Sequence, residues 1–278
     1  MRTPPRLLPL VEEGLVDEVI SQLMSGKEAT VYIVRCGDKI CCAKVYKEAH
    51  KRSFHTNVSY QEGRKVKNSR EARAMAKGSS YGRKKAEEVW QSAEVDALYK
   101  LAAVGVRVPQ PHICFEGVLL MDMVADADGN AAPRLNDVAL SEETALAYHA
   151  MLINQVVRML CAGVIHGDLS EYNILVSEDG PVIIDLPQAI DAASNSQAFE
   201  MFERDVINLR SYFSAFAPML KDSRFANEIW AHYESGVLTP ELALSGEFAL
   251  DESVVDTAAV LLQVEMAIKE DEIRRMCQ

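Results

Sequence analysis

The stretch His166-Gly167-Asp168-Leu169-Ser170-Glu171-Tyr172-Asn173 sets an Asp and an Asn five residues apart. Asp185 follows twelve residues after Asn173, at the end of the apolar run Val182-Ile183-Ile184. This spacing suits phosphoryl transfer, in which one carboxylate handles the acceptor hydroxyl while an amide and a second carboxylate hold the divalent metal on ATP. Asp168 is therefore the candidate catalytic group, and Asn173 and Asp185 are the candidate metal ligands. Mg2+ favours a few hard oxygen ligands, with phosphates and waters completing its shell. A carboxylate closing an apolar strand is costly unless a metal or donors satisfy it, which suits Asp185 to that role. His166 reads as a structural ring packed beneath the loop. Asp205, in Arg204-Asp205-Val206, is either a surface acid or a brace for the loop from below.

Phosphotransfer also needs a phosphate-binding turn and a cation. Lys44 stands among Cys42, Ala43 and Val45, and a buried, unpaired ammonium would be costly. It is the candidate phosphate-binding Lys, with Glu94 as its helical partner and Glu87, Glu88 and Asp96 as competitors. Met24-Ser25-Gly26-Lys27-Glu28-Ala29 offers a turn whose backbone N–H groups can approach phosphates. It is not a Walker A loop, because Glu28 stands where Ser or Thr is needed and Ser21 where Gly is needed. The Gly-rich loop of ordinary protein kinases is absent as well.

The elements that position these residues follow from periodicity and turn residues. Residues 10–22 read as a short amphipathic helix or turn. Ala29–Arg35 and Ile40–Tyr46 are apolar, β-branched runs separated by Cys36-Gly37-Asp38-Lys39, a hairpin signal. A helix is predicted from about Lys85 to Ala103, with Val89, Trp90, Ala93, Ala97 and Leu101 on one stripe and Gly105 closing it. Part of 69–77 also has helical character. Ile113–Phe115 and Val118–Val124 read as strands, and the polar stretch Ala125–Asn136 as a connector. Ser141 is a candidate N-cap for a long helix with Leu152, Ile153, Val156, Val157 and Leu160 inward, ended by Gly163. Ile174–Val176 and Val182–Ile184 form a short hairpin, and everything beyond about Ala198 reads as helix. The expected fold is α+β and two-lobed, with a β-rich lobe over 1–124 and a helical lobe over 125–278, the nucleotide lying between them.

The 278 residues suffice for such a core, and no apolar run approaches the length of a membrane span. The start of the chain lacks the apolar run of a secretory signal, so a cytoplasmic protein is expected. The six cysteines form no CxxC pair and read as buried, reduced thiols, with Cys41 and Cys42 on opposite faces of a strand. The net charge of -12 conceals an asymmetry: residues 47–85 carry twelve Lys/Arg against three Glu, leaving 17 basic and 38 acidic residues elsewhere. That excludes a general nucleic-acid binder, but the basic segment could meet phosphates or an acidic partner.

Taken together, Ser25-Gly26-Lys27-Glu28-Ala29, Ala43-Lys44, Trp90 with Glu94, His166 to Asn173, Ile184-Asp185-Leu186-Pro187-Gln188-Ala189 and Arg204-Asp205-Val206 resemble the RIO family of atypical serine/threonine protein kinases. The resemblance covers roughly residues 20–220. It implies a trimmed kinase fold without the usual activation segment, and ATP with Mg2+ or Mn2+ as cofactors. It further implies that Lys44 binds phosphate and pairs with Glu94, that Asp168 is catalytic, and that Asn173 and Asp185 bind the metal. Ser25 and Lys27 would contact phosphates, and residues around Met121, Met123 and Val124 would meet the adenine. Some relatives act as ATPases with phosphate captured on the metal-binding Asp, here Asp185. A bacterial-type member is expected, without the winged-helix domain of one branch. An RNA or ribosomal partner for the basic loop 47–85 is a further expectation. Two other classes compete: an aminoglycoside- or choline-type small-molecule kinase, against which Ser170-Glu171-Tyr172 argues, and a non-catalytic ATP-binding scaffold, against which the intact Lys44, Asp168, Asn173 and Asp185 argue.

Overall fold

Five antiparallel strands in the order β1-β2-β3-β5-β4 carry the first half of the chain. The structure, a computed structural model, describes residues 3–26, 29–47 and 80–249, with the side chains of 80–91 excepted. Residues 1–246 make one unit and 247–278 a second, of which only 247–249 are described.

The strands are β1 (Glu18–Ser25), β2 (Ala29–Cys36), β3 (Lys39–Tyr46), β4 (Pro111–Phe115) and β5 (Val118–Asp122). β2 and β3 pair from Ala29↔Tyr46 to Cys36↔Lys39, so the expected hairpin forms and its four-residue connection tightens to a two-residue turn, Gly37-Asp38. Gly37 has φ 61°, as a tight hairpin of this kind requires. Successive side chains on β3 point to opposite faces. Cys41, Ala43 and Val45 join an outer core with Leu7, Leu10, Val19, Val34, Val118 and Leu120. Tyr46 belongs to the larger inner core, and Lys44 lies on that same face.

The segment 10–22 departs from expectation. A short helix, α1 (Leu8–Glu12), ends early, and β1 follows. Gly14, at φ 71°, adopts the left-handed conformation, and the Gly14 and Leu15 N–H groups donate to the Val11 and Leu10 carbonyls. This Schellman closure stops the helix. β1 escaped the sequence reading because it is an edge strand in which Val19 alone is buried, so no alternation marks it.

The remaining elements are helical with short strands. α2 (Ser80–Ala103) buries Ala97, Leu98 and Leu101 in the inner core. Trp90 and Val89 lie among the side chains not described, and the expected helix in 69–77 lies outside the described residues. α3 (Glu142–Cys161) is capped by Ser141, whose hydroxyl accepts from the Thr144 N–H at 3.1 Å. Its inward stripe is the expected one: Leu152, Ile153, Val156, Val157 and Leu160 are all buried. β6 (Val164–Ile165) pairs with β9 (Ile190–Asp191), and β7 (Ile174–Ser177) with β8 (Gly180–Ile183). α4 (Ala198–Phe213) and α5 (Phe225–Glu234) complete the core with Phe202, Phe213 and Ile229. The expectation of helix throughout the C-terminal region fails at 235–249, which is irregular apart from turns. Gly236, at φ 72°, ends α5, and Pro240 lacks the N–H a further helix would need.

The fold is α+β, a sheet followed by helices, as expected. The thiols are only partly as expected. Cys41 and Cys42 are buried on opposite faces and all described cysteines are free, but Cys114 and Cys161 are exposed. Each of those two stands outside a buried stripe of its element, which composition alone does not reveal. Among the described residues no helix is long and apolar enough to cross a membrane.

Candidate active site

Lys44 is buried on β3, at 8% exposure, and its ammonium sits between two carboxylates from other parts of the chain. Nζ donates to Glu94 Oε1 of α2 at 2.5 Å and to Asp185 Oδ1, just past β8, at 2.9 Å. The Tyr46 hydroxyl donates to the other Glu94 oxygen at 2.7 Å. Both oxygens of a carboxylate that is only 2% exposed are thereby satisfied. Burial alone would push the Lys44 ammonium down, but Glu94 and then Asp185 outweigh it and hold the group above its ordinary value. Burial likewise pushes Asp185 up, and Lys44 reverses this, leaving the carboxylate below its ordinary range. Lys44 and Asp185 are therefore both charged throughout the neutral range. Of the four acids weighed as partners of Lys44, the structure brings Glu94 to it.

Asp185 is one of two described non-glycine residues with positive φ, at 65°. Asp tolerates the left-handed region better than most residues, and such backbone strain concentrates where a side chain must be aimed. The strand β8 ends two residues before it, and the Ile184 N–H donates to the Asn173 carbonyl at 3.0 Å, tying the two candidate metal-ligand segments together.

The loop from His166 to Asn173 is held from below. Asp205 on α4, 2% exposed, accepts the Gly167 N–H at 2.8 Å and the Leu169 N–H at 2.9 Å. Asn208, three residues on, donates to the Leu169 carbonyl at 3.0 Å, and Arg204 donates to the Gly167 carbonyl. Gly167 has φ 80°, the conformation that lets the loop present both N–H groups to one carboxylate. His166 is buried. Its Nε2 donates to the Ile184 carbonyl at 3.0 Å, while Nδ1 accepts from the Asp168 N–H at 3.3 Å. It packs as a structural ring beneath the loop, and Asp205 is the brace.

Asp168 stays partly accessible above this support. Burial raises its carboxyl above the ordinary value, against the opposing pull of His166 and Arg204. Asn173, in a 3-10 turn (Glu171–Asn173), donates its amide N–H to the Asp168 carbonyl at 2.8 Å. Gln188 donates to Asp168 Oδ2 at 3.3 Å.

Of the remaining candidates, Ser25 stands on an edge strand and Met121 on an interior one. Ser25 ends β1, and its hydroxyl shares a hydrogen bond with Thr30. Lys27 lies outside the described residues. Met121 and Met123 are half-buried at and just beyond the end of β5. Two residues that the sequence reading missed also join the site. Lys47 donates to Ser25 Oγ at 3.1 Å and to the Gly26 carbonyl at 2.5 Å, placing a cation on the turn. It had been counted with the basic segment, although its position three residues after Lys44 puts it at the strand end. Gln188 was visible only through the Asp-Leu-Pro-Gln segment.

Comparison with known proteins agrees with this geometry. The RIO domain family model matches residues 30–225. The serine/threonine-protein kinase rio1 of Schizosaccharomyces pombe is 28% identical over 214 residues, covering 76% of this chain and 41% of its own. The RIO-type serine/threonine-protein kinase Rio1 of Haloferax volcanii is 30% identical, covering 73% and 66%. That of Methanocaldococcus jannaschii is 31% identical, covering 76% and 68%. The chain thus spans two fifths to two thirds of the length of these relatives. With its sheet-then-helix fold and a match running through β2, β3, the loop at His166–Asn173 and α4, the chain belongs to the RIO domain family.

Proposed function

We propose that this protein is an ATP-dependent phosphotransferase of RIO type, acting on Ser or Thr hydroxyls and capable of autophosphorylation or ATP turnover. The observation that carries this reading is the Lys44 ammonium held between Glu94 and Asp185, which joins the sheet to the catalytic segment in one charged cluster. The names of the relatives, which are serine/threonine kinases, support it.

In this reading Lys44 binds the α- and β-phosphates and Glu94 keeps it aimed. Ser25, Lys27 and Lys47 flank the phosphates from the turn, and Met121 and Met123 lie against the adenine. The donor set fits a hard divalent cation, Mg2+ or Mn2+. Asp185 meets Lys44 through Oδ1, leaving Oδ2 for a metal, and Asn173 uses its N–H toward Asp168, leaving its amide oxygen. When bound, the metal neutralises charge on the transferring phosphoryl group. Asp168 accepts the proton of the attacking hydroxyl, and its raised pKa makes it a better proton acceptor than an ordinary carboxylate. Gln188 and the Asn173 amide orient it. Two lobes, 1–124 and 125–278, would close on the nucleotide. Family membership and the braced Asp168 favour this reading over a small-molecule kinase or a non-catalytic scaffold.

In this reading Asp185 has a second role, as acceptor of the phosphoryl group, in keeping with its strained backbone and partly exposed side chain. Incubation with γ-labelled ATP and Mg2+ tests the proposal. Label or turnover is expected in the wild type and is lost in Asp168→Ala and Asp185→Ala. Turnover unchanged by both substitutions would overturn the assignment. Hydroxylamine-labile label marks an aspartyl phosphate, and stable label marks Ser or Thr.

A further inference from the structure

The outer face of the sheet, opposite the Lys44 cleft, carries a second cluster that the proposed chemistry does not use. Cys41 on β3 pairs in register with Asp122 on β5. Alternation along those strands puts both side chains on the face that carries Ala43, Val45, Val118 and Leu120, whereas Lys44 points the other way. On the next strand, β4, the register slips between Pro111 and Ile113, so His112 is the extra residue of a β-bulge. A bulge re-aims a side chain. Here it turns His112 toward β5, where its Nε2 lies 2.7 Å from Asp122 Oδ1. One ligand atom from each of Cys41, His112 and Asp122 falls within 4.8 Å of the other two, the single such group of three among the described residues.

We propose that Cys41, His112 and Asp122 form a binding site for a borderline-soft divalent cation, Zn2+ by preference. A thiolate, an imidazole and a carboxylate are a ligand set suited to Zn2+, and the thiolate selects it against Mg2+ or Ca2+. The spacing suits it as well. Tetrahedral bonds of zinc to N, O and S imply ligand–ligand edges of roughly 3.3–3.8 Å, which the cluster reaches by small side-chain rotations. Cys41 is nearly fully buried, so one side of the site is dry and fixed. His112 and Asp122 remain open to solvent and give the ion its entry path. The Cys36 thiol, at the end of β2, adjoins Cys41, and it or a water can complete the fourth position. A bound ion would tie β3, β4 and β5 together at the strand end from which Met121 and Met123 project. The site is independent of the nucleotide site and stands whether or not the catalytic reading does.

The test uses the full chain, reduced and stripped of metal, with Mg2+ in excess. Zn2+ uptake is measured by competition with a chromophoric chelator, and Co2+ is used as a spectroscopic substitute. One equivalent of Zn2+ is expected, with a thiolate-to-Co2+ charge-transfer band and the intense visible bands of tetrahedral Co2+. His112→Gln and Asp122→Asn each weaken binding at least about tenfold, and Cys41→Ser weakens binding and lowers the intensity of the charge-transfer band. Both first substitutions are at exposed or half-exposed side chains, and unchanged circular dichroism shows that the fold persists. Asp185→Asn leaves Zn2+ uptake as in the wild type, separating this site from the one for the nucleotide metal. No competitive uptake by the wild type, or uptake unaltered in His112→Gln and Asp122→Asn, would overturn the proposal.

Discussion

Lys44 and Asp205 are both buried charges, yet the two regions they organise satisfy them by different means. Lys44 is held by side chains of opposite charge drawn from α2 and from the segment after β8. Asp205 is held mainly by backbone N–H groups of the loop it supports. The first arrangement joins separate pieces of chain through paired charges and keeps Lys44 and Asp185 charged, because each of those two reinforces the other's ionised form. The second fixes the shape of one loop, and its carboxyl is pushed up to about 6 by burial despite those N–H bonds and the nearby His166 and Arg204. One region is insensitive to pH near neutrality, and the other sits close to its titration. The Lys44–Asp185 pair keeps its charges over a wide pH range, while the loop carrying Asp168 is the part that acid disturbs.

The largest effect should come from breaking the charged cluster. Lys44→Met leaves Glu94 buried with Tyr46 as its remaining hydrogen-bond partner, and truncating one member of a buried pair costs about 3–5 kcal/mol. Urea unfolding reads that loss, and ATP turnover should disappear with it. A Lys44→Met protein as stable as the wild type would mean that the cluster does not hold the sheet to the catalytic segment.

Next comes the titration of the brace. The folded-state pKa of Asp205 is raised above the ordinary 3.8, so the folded protein binds this proton more tightly than the unfolded chain does. Its linkage term therefore adds stability as pH falls from about 6 toward 3.8, and that gain is lost as pH rises through 6. Relative to Asp205→Asn, which cannot titrate, the wild type should gain roughly 3 kcal/mol across this window. Activity should move the opposite way, because a protonated Asp205 accepts less well from Gly167 and Leu169. The acid limb of the rate profile near pH 6 should be absent in Asp205→Asn. Parallel profiles for the two proteins would show that the loop does not depend on this carboxylate.

The smallest change is Tyr46→Phe. It removes one hydrogen bond to Glu94 and leaves the Lys44 pair intact, for a cost of about 1–2 kcal/mol. Thermal unfolding measures it. A loss as large as that of Lys44→Met would make the hydroxyl, rather than the ammonium, the chief partner of Glu94.

The charged cluster and the loop were unequally legible in the sequence. Asp168, Asn173 and Asp185 lie within eighteen residues of one another, so spacing alone marked them as one candidate site. Lys44 was conspicuous as a cation in an apolar strand, and Glu94 needed the helix to be placed first. The bracing role of Asp205 was one of two readings, because nothing local distinguishes a surface acid from one that turns under a loop. β1 was missed because an edge strand with a single buried residue has no apolar alternation to detect. The Cys41–His112–Asp122 group could not have been found without the register of three strands and a bulge in one of them. Gly14 and Gly236 were signals that could have shortened both misread helices.

The most direct measurement compares ATP binding with ATP turnover in Asp168→Asn. Lys44, Glu94 and Asp185 are untouched by this change, so the affinity for Mg·ATP should stay within about threefold of the wild type. Turnover and phosphoryl transfer should fall by at least about a hundredfold, the scale of a lost general base. Turnover within a few-fold of the wild type at equal affinity would contradict the assignment of the chemistry to this loop.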